Sequence, residues 1–347
     1  MSLRQSDIII IGAGAAGLMC ASQAAKRNRR TLVLDHASKV GEKIRISGGG
    51  KCNFTNMDVS AKNYLSQNPH FCKSALKRYT QWDFISLISE YGIEYHERDH
   101  GQLFCNESAQ QIIDTLVNEC DKAGVLIETN THINEIQKTE NGFLLETDHG
   151  NMACEKLVIA TGGLSIPKIG ASDFGHRIAK QFAHSIVSPK PALVPLTFDL
   201  QTKERMSGFQ GIALDSIIQN NKISFREALL FTHKGISGPA ILQISSYWEQ
   251  GQSIEINLLP DEDVFSYLKD AKQQFPKQDI SRSLSNLLPK RLAQRFCENT
   301  ACFGKIAELS DKKLKELHDA IHNWSLIPNG SEGYRTAEVT LGGVDTD

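Results

Sequence analysis

The spacing of apolar and polar positions changes several times along this chain, and each change marks an element. Ile8–Ile11 is a continuous apolar run, the pattern of a short strand buried on both faces. Three glycines follow: Gly12, Gly14 and Gly17. The Ala-rich stretch Ala15–Lys26 then has helical spacing, and a second apolar run, Thr31–Leu34, ends at Asp35. Strand, glycine turn, helix, strand and acid come in the order of a dinucleotide-binding βαβ unit.

Beyond that unit the spacing predicts a helix over 71–92, with Trp82, Ile85, Leu87 and Ile88 on its apolar face. A second helix is predicted over 108–123, with Ser108 as N-cap. The period then shortens to two. Val125–Glu128, Ile133–Gln137, Phe143–Thr147 and Met152–Ala153 read as strands divided by Glu140-Asn141-Gly142 and His149-Gly150-Asn151. A fully apolar run, Leu157–Thr161, ends at Gly162 and Gly163.

Pro189, Pro191 and Pro195 mark a domain boundary. After it come strand-like runs at Val194–Leu200, Ile212–Gln219, Ile223–Phe231 and Ile254–Leu259. Helical runs follow at Asp263–Gln274, Ser283–Cys297 and Asp311–Asn323. The final RTAEVTLGGVDTD reads as a strand returning to the first domain. The expected organisation is a nucleotide-binding part over 1–189, an inserted sheet or barrel with helices over 190–330, and a return over 331–347.

The glycines carry the chemistry. Gly12 permits the tight turn, Gly14 lets a pyrophosphate approach the backbone, and Gly17 lets helix and strand pack closely. The first-turn N–H groups, with Ala15 and Ala16, meet the phosphates at the positive end of the helix dipole. Asp35, followed by His36, stands where a carboxylate takes both hydroxyls of an adenosine ribose. An acid there disfavours NADP, whose extra phosphate it repels. The antiparallel meander and the ATGG strand end favour FAD over NAD.

A second glycine-rich loop, Ser47-Gly48-Gly49-Gly50-Lys51-Cys52-Asn53, follows the second strand, with Lys43 and Arg45 just before it. Open backbone N–H groups and basic side chains suggest a loop along the pyrophosphate and flavin. Thr161, Gly162 and Gly163 are expected to close over the adenine side. Cys52 has no cysteine near it in sequence and reads as a structural thiol. His233, before the turn Lys234-Gly235, could be a proton donor near substrate, but a histidine before a glycine turn is more often structural. Ser237 followed by Pro239 reads as an N-cap with proline in the first turn.

The bulk numbers narrow the partners. With 347 residues, 40% hydrophobic and 22% charged, the chain can bury a large core in two or more domains. The net charge of −2 points to a small-molecule substrate and to neither nucleic acid nor membrane. Strand one begins within a few residues of the N-terminus, leaving no room for a signal peptide, so a cytoplasmic location is expected. The eight cysteines form no C-x-x-C pair and the eleven histidines show no ligand spacing, so no metal is expected. There is no second GxGxxG, so NAD(P)H, the candidate electron donor, would dock elsewhere.

The pieces IIIIGAGAAGLMCA, KIRISGGGKCNFTN, LVIATGG, PKPALVPL, LLFTHKGISGPAIL and TAEVTLGGV span the chain in order. In them it resembles the bacterial family of NAD(P)/FAD-dependent oxidoreductases with aminoacetone-oxidase-like and bile-acid 3-dehydro reductase-like members. The resemblance implies an α/β fold: a glutathione-reductase-like Rossmann FAD-binding domain with an antiparallel meander, plus an inserted β-barrel and helical domain. It also implies hydride transfer between a small organic substrate and flavin, with no catalytic residue assigned. A flavin-dependent RNA-modifying enzyme and a non-catalytic flavin-binding protein are the alternatives. Lys51 stands where the family usually has Arg, and Asp35 where Glu is common. The family's "GLYFAGE" and "GGYN" motifs do not follow GGV, so a flavin site lacking its closing segment is expected.

Overall fold

A computed structural model of the chain describes residues 3–221 and 223–347. Met1, Ser2 and Lys222 lie outside them, so the reading of the N-terminus is followed from Leu3. The chain forms two compact units, Met1–Pro189 with Gly342–Asp347, and Lys190–Leu341.

The first unit begins with β1 (Arg4–Ile11), α1 (Ala15–Ala25) and β2 (Thr31–Leu34). A short helix, α2 (Glu42–Ile46), leads through a turn to β3 (Asn53–Asn56). Then come α3 (Lys73–Arg78), α4 (Gln81–Glu90), β4 (Tyr95–Glu97), β5 (Gln102–Cys105) and α5 (Gln110–Lys122). The unit continues through β6 (Leu126–Glu128), β7 (Ile133–Thr139), β8 (Gly142–Thr147), β9 (Gly150–Ile159) and α6 (Phe174–Gln181). Its main sheet has the order β6-β2-β1-β9-β8-β7. The pairings among β6, β2, β1 and β9 are parallel, and those among β9, β8 and β7 are antiparallel. This is a Rossmann-like α/β fold with a mixed sheet.

The apolar run of β1 is explained by its position. Ile10 joins the core under α1 and α5, while Ile9 and Ile11 join a second core with the meander and Ile178 of α6. A strand covered on both faces has no polar side to show. In α1 the small residues Gly17, Ala21 and Ala25 recur every fourth position and are buried, so the helix can lie close to the sheet.

Local expectations gave way where longer-range packing decided. The predicted helix over 71–92 is two helices, because Thr80 caps α4: its N–H and hydroxyl both bond the Asp83 carboxylate, at 2.6 and 2.7 Å. Ile85 and Ile88 are buried there, whereas Trp82 is 55% exposed. Ser108 is not the cap of α5. Ala109 holds that position, and the Ser108 hydroxyl accepts the Gln110 N–H at 3.1 Å. The two runs at Met152–Ala153 and Leu157–Thr161 belong largely to one strand, β9, because Glu155 and Lys156 between them are exposed and leave the ladder intact.

β10 (Ile186–Ala192) leads into the second unit. That unit holds β11 (Leu196–Thr197), α7 (Leu200–Arg205), β12 (Ala213–Gln219), β13 (Ser224–Phe231), β14 (Gly235–Ser237) and α8 (Pro239–Ser245). β15 (Ile254–Asn257), α9 (Val264–Gln274), α10 (Ile280–Leu284), α11 (Lys290–Asn299) and α12 (Asp311–His322) follow. β16 (Trp324–Leu326), β17 (Gly330–Ser331) and β18 (Val339–Val344) end the chain. Its sheet is antiparallel in the order β16-β15-β12-β13-β14-β11-β17, and among the described residues the pairing does not close into a ring. The helical run expected over Ser283–Cys297 is broken before Pro289, which caps α11. Ser237 ends β14 instead of capping α8. Gly238 takes the cap position with φ +93°, pressed against the Ala228 carbonyl. Phe209, Phe231, Phe296 and Trp324 pack as an aromatic cluster, with Phe209 and Phe231 edge to face at 5.1 Å.

Candidate functional site

The first unit contains a cavity of about 920 Å³ at the C-terminal ends of β1, β2 and β9. That is where an open α/β sheet places its ligand, and the volume is near the top of the range for ligand sites.

The β1–α1 turn forms one wall. Gly12 has φ +108°, and a Cβ there would fall 2.4 Å from the Ala160 carbonyl oxygen. A Cβ at Gly17 would fall 1.8 Å from the Gly12 carbonyl oxygen. These two glycines let turn, helix and β9 touch. Gly14 differs: it lines the cavity, and a Cβ there would meet nothing within 4 Å. The space beside it is open to a ligand, while the N–H groups opening α1 lie in the same wall with Ala15 and Ala16.

Asp35 follows β2. Its carboxylate accepts the Ala13 N–H at 2.7 Å and the Ala37 N–H at 2.8 Å. Both bonds hold the side chain against the glycine turn, and each oxygen keeps a lone pair for a ribose hydroxyl. His36 also lines the cavity, with Nδ1 3.4 Å from the Asp35 carboxylate. Gly170 must lack a side chain, because a Cβ there would fall 2.6 Å from the His36 ring.

Lys43, Ser47, Cys52, Asn53, Thr161, Gly162 and Gly163 also line the cavity, Thr161 beside Gly12. The Thr161 hydroxyl is buried with no partner among the described residues. An open space beside Gly14 and a fixed carboxylate at Asp35 together fit the adenosine diphosphate half of a dinucleotide.

Gly17, Gly48, Gly49, Gly50 and Lys51 stand outside the cavity wall. The triplet turns the chain: Gly48, Gly49 and Gly50 have φ of +56°, +65° and +85°. A Cβ at Gly48 would fall 2.7 Å from the Phe104 ring. The Lys51 ammonium donates to the carbonyls of Asn106 and Glu107, at 2.8 and 2.6 Å. Arg45 likewise bonds the Gln110 side chain and the Val40 carbonyl. Both cations that seemed free for phosphate are anchors of the loop. His233 is exposed in the second unit.

Sequence reasoning did not find Tyr64, Tyr79, Phe84, Ile112 and Leu116, which give the cavity its apolar side. They come from three separate segments, and no spacing links them. It also missed the neighbour of Cys52. The Cys105 N–H donates to the Lys51 carbonyl at 3.0 Å, which sets the two cysteines side by side as free, buried thiols. Burial pushes the Cys52 thiol up, against a smaller opposite pull from Ser47. Burial, with Cys52 beside it, pushes Cys105 up to about 11. Burial also raises the Tyr79 phenol. Cys52 and Tyr79 are therefore protonated acids on the cavity wall at neutral pH. Among the described residues no cluster of His, Cys, Asp and Glu could hold a metal ion, and no helix is long and apolar enough to cross a membrane.

Comparison with known proteins agrees with this architecture. The model of the HI0933-like protein Rossmann domain matches residues 6–347. A ribosomal RNA dihydrouridine synthase of Escherichia coli (strain K12) is 49% identical over 99% of this chain and 87% of its own length. A protein of the same description from Haemophilus influenzae is 49% identical over 98% of this chain and 86% of its own. A 3-dehydro-bile acid delta(4,6)-reductase of Clostridium scindens is 23% identical over 97% of this chain and 86% of its own length. The match runs through the glycine turn, the cavity walls and the second unit alike, and the chain belongs to the HI0933-like family of Rossmann-fold, FAD-binding flavoproteins.

Proposed function

We propose that this protein is an FAD-dependent reductase that converts a uridine of ribosomal RNA to dihydrouridine. The observation that carries the reading is the 49% identity to ribosomal RNA dihydrouridine synthases over 98–99% of the chain. The cavity supports it through its fit to the cofactor. Gly14 leaves room for a pyrophosphate, and Asp35 offers its carboxylate to a ribose.

The C5=C6 bond of uracil is conjugated with the C4 carbonyl, so its reduction adds a hydride at C6 and a proton at C5. Bound FAD, reduced by NAD(P)H, would supply the hydride chemistry. The chain must supply position and the proton. Cys52 Sγ and Tyr79 Oη are neutral acids on the cavity wall, and either can hold that proton. The net charge of −2 does not weigh against RNA, because phosphate recognition depends on local charge and not on the sum.

A second reading is reduction of a small unsaturated ketone. It is favoured by the 23% identity to a bile-acid reductase, whose name also describes reduction of carbon–carbon double bonds. One experiment separates the two. Purified protein should carry FAD, be bleached anaerobically by NADPH or NADH, and add two hydrogens to a uridine in ribosomal RNA from cells lacking the gene. Mass spectrometry of digested RNA reads the result. Unmodified RNA, together with turnover of an unsaturated ketone, would favour the second reading.

A further inference from the structure

Between Asp58 and Asp83 the chain has no acidic residue, although it holds 40 acids in 347 residues. The 24 residues between them carry Lys62, Lys73, Lys77 and Arg78, interleaved with Tyr64, Phe71, Tyr79 and Trp82. A net-negative chain thus contains one locally cationic, aromatic segment. Its aromatic rings are not core residues: Phe71 is 65% exposed, Trp82 55% and Tyr64 49%. Single exposed aromatics are ordinary, but four within one short cationic stretch form a patch.

The cations there are not spent on carboxylates. Lys77 and Arg78 are exposed and have no ion pair among the described residues. Lys73 contacts the His70 ring at 2.8 Å. Lys62 has only an exposed 3.8 Å contact with Asp58. Lys73 and Lys77 are four residues apart on α3, on one face of the helix. The segment also borders the site, since Tyr64 and Tyr79 line the cavity.

We propose that residues 59–82 are the surface on which a single RNA strand lies while its target base enters the cavity. This rests on the RNA reading above. Cationic side chains answer the phosphates, and exposed rings answer unstacked bases, which is how single strands are held without sequence readout. A base reduced inside a cavity must leave its stack, so the surface next to the mouth has to hold the flanking nucleotides.

The test uses a fluorescein-labelled single-stranded oligouridylate and deproteinised ribosomal RNA. Two variants are compared with the parent: K77E combined with R78E, and W82A. The charge reversal should weaken binding at least about tenfold at ~0.1 M salt and reduce the salt slope by roughly 1.4, the share of two phosphates. W82A should weaken binding about five- to tenfold and leave the slope unchanged. FAD content and reduction by NAD(P)H should be the same in all three proteins, because these side chains are exposed. Parent-like RNA binding in both variants would overturn the proposal even if the parent makes dihydrouridine. Binding lost only together with flavin, in both variants, would overturn it too. If the parent makes no dihydrouridine but the variants lose RNA, the docking surface stands and the proposed reaction falls.

Discussion

Two glycine-rich turns approach the same cavity, one at 12–17 and one at 47–53, and they use glycine for different reasons. In the first, the glycines divide the labour. Gly12 and Gly17 remove Cβ atoms that would strike backbone at 2.4 and 1.8 Å, and Gly14 leaves a space that nothing in the chain fills. In the second, the triplet serves the path of the chain. Its three positive φ values swing the backbone so that Cys52 and Asn53 reach the cavity while the glycines themselves do not. A glycine facing an open cavity at an ordinary φ, as Gly14 does, leaves room for a ligand. A glycine at positive φ marks a turn.

Four substitutions test that distinction. The largest effect is expected for Gly17→Val, whose side chain has no room beside the Gly12 carbonyl. It should cost more than about 4 kcal/mol and leave little soluble protein. A folded Gly17→Val protein that melts like the parent would remove the close-packing role. Gly14→Val should do the opposite, keeping the melting temperature within about 3 °C of the parent, since its backbone is compatible with any residue. Its FAD affinity should fall at least about a hundredfold, or ~2.8 kcal/mol. Equal flavin content after gel filtration would show that no pyrophosphate passes there.

Asp35→Asn should weaken FAD by roughly ten- to a hundredfold, the worth of about 1.5–3 kcal/mol of charge-assisted bonds. Isothermal titration of the apoprotein reads this directly, and an unchanged dissociation constant would exclude Asp35 from the ribose. The smallest effect belongs to Gly49→Ala. No atom opposes the new methyl group, so only the left-handed backbone at φ +65° costs, about 1 kcal/mol. The melt should shift down by roughly 2–4 °C with flavin content unchanged. Loss of flavin instead would make the second turn a ligand cradle like the first.

The same contrast explains what the sequence could disclose. The βαβ unit was legible because its determinants are adjacent: an apolar run, three glycines, small helix residues and an acid, all between Ile8 and Asp35. The second turn was legible as a turn but not in its purpose. Lys51 looks like a free cation until its partners appear, 55 and 56 positions later in the chain. Cys52 looks solitary for the same reason, since β5 brings Cys105 back beside it. Trp82 shares the spacing of Ile85 and Ile88 but not their burial: it lies in the first turn of α4, just after the Thr80 cap, and is 55% exposed. The apolar side of the cavity was illegible altogether. Tyr64, Phe84 and Leu116 meet only in three dimensions.

The first unit is also discontinuous: about 150 residues of the second unit are inserted before the chain returns at Gly342. Every residue that lines the cavity lies between Gly12 and Ala171, ahead of that insertion. On a translating ribosome, at ~5–20 residues per second, the insert takes roughly 8–30 s to emerge. The whole cavity wall leaves the exit tunnel before that interval is over, so a nascent chain can meet its cofactor while the insert is still being made. Cofactor loading during synthesis would then precede both the completion of the second unit and the return of the chain at Gly342.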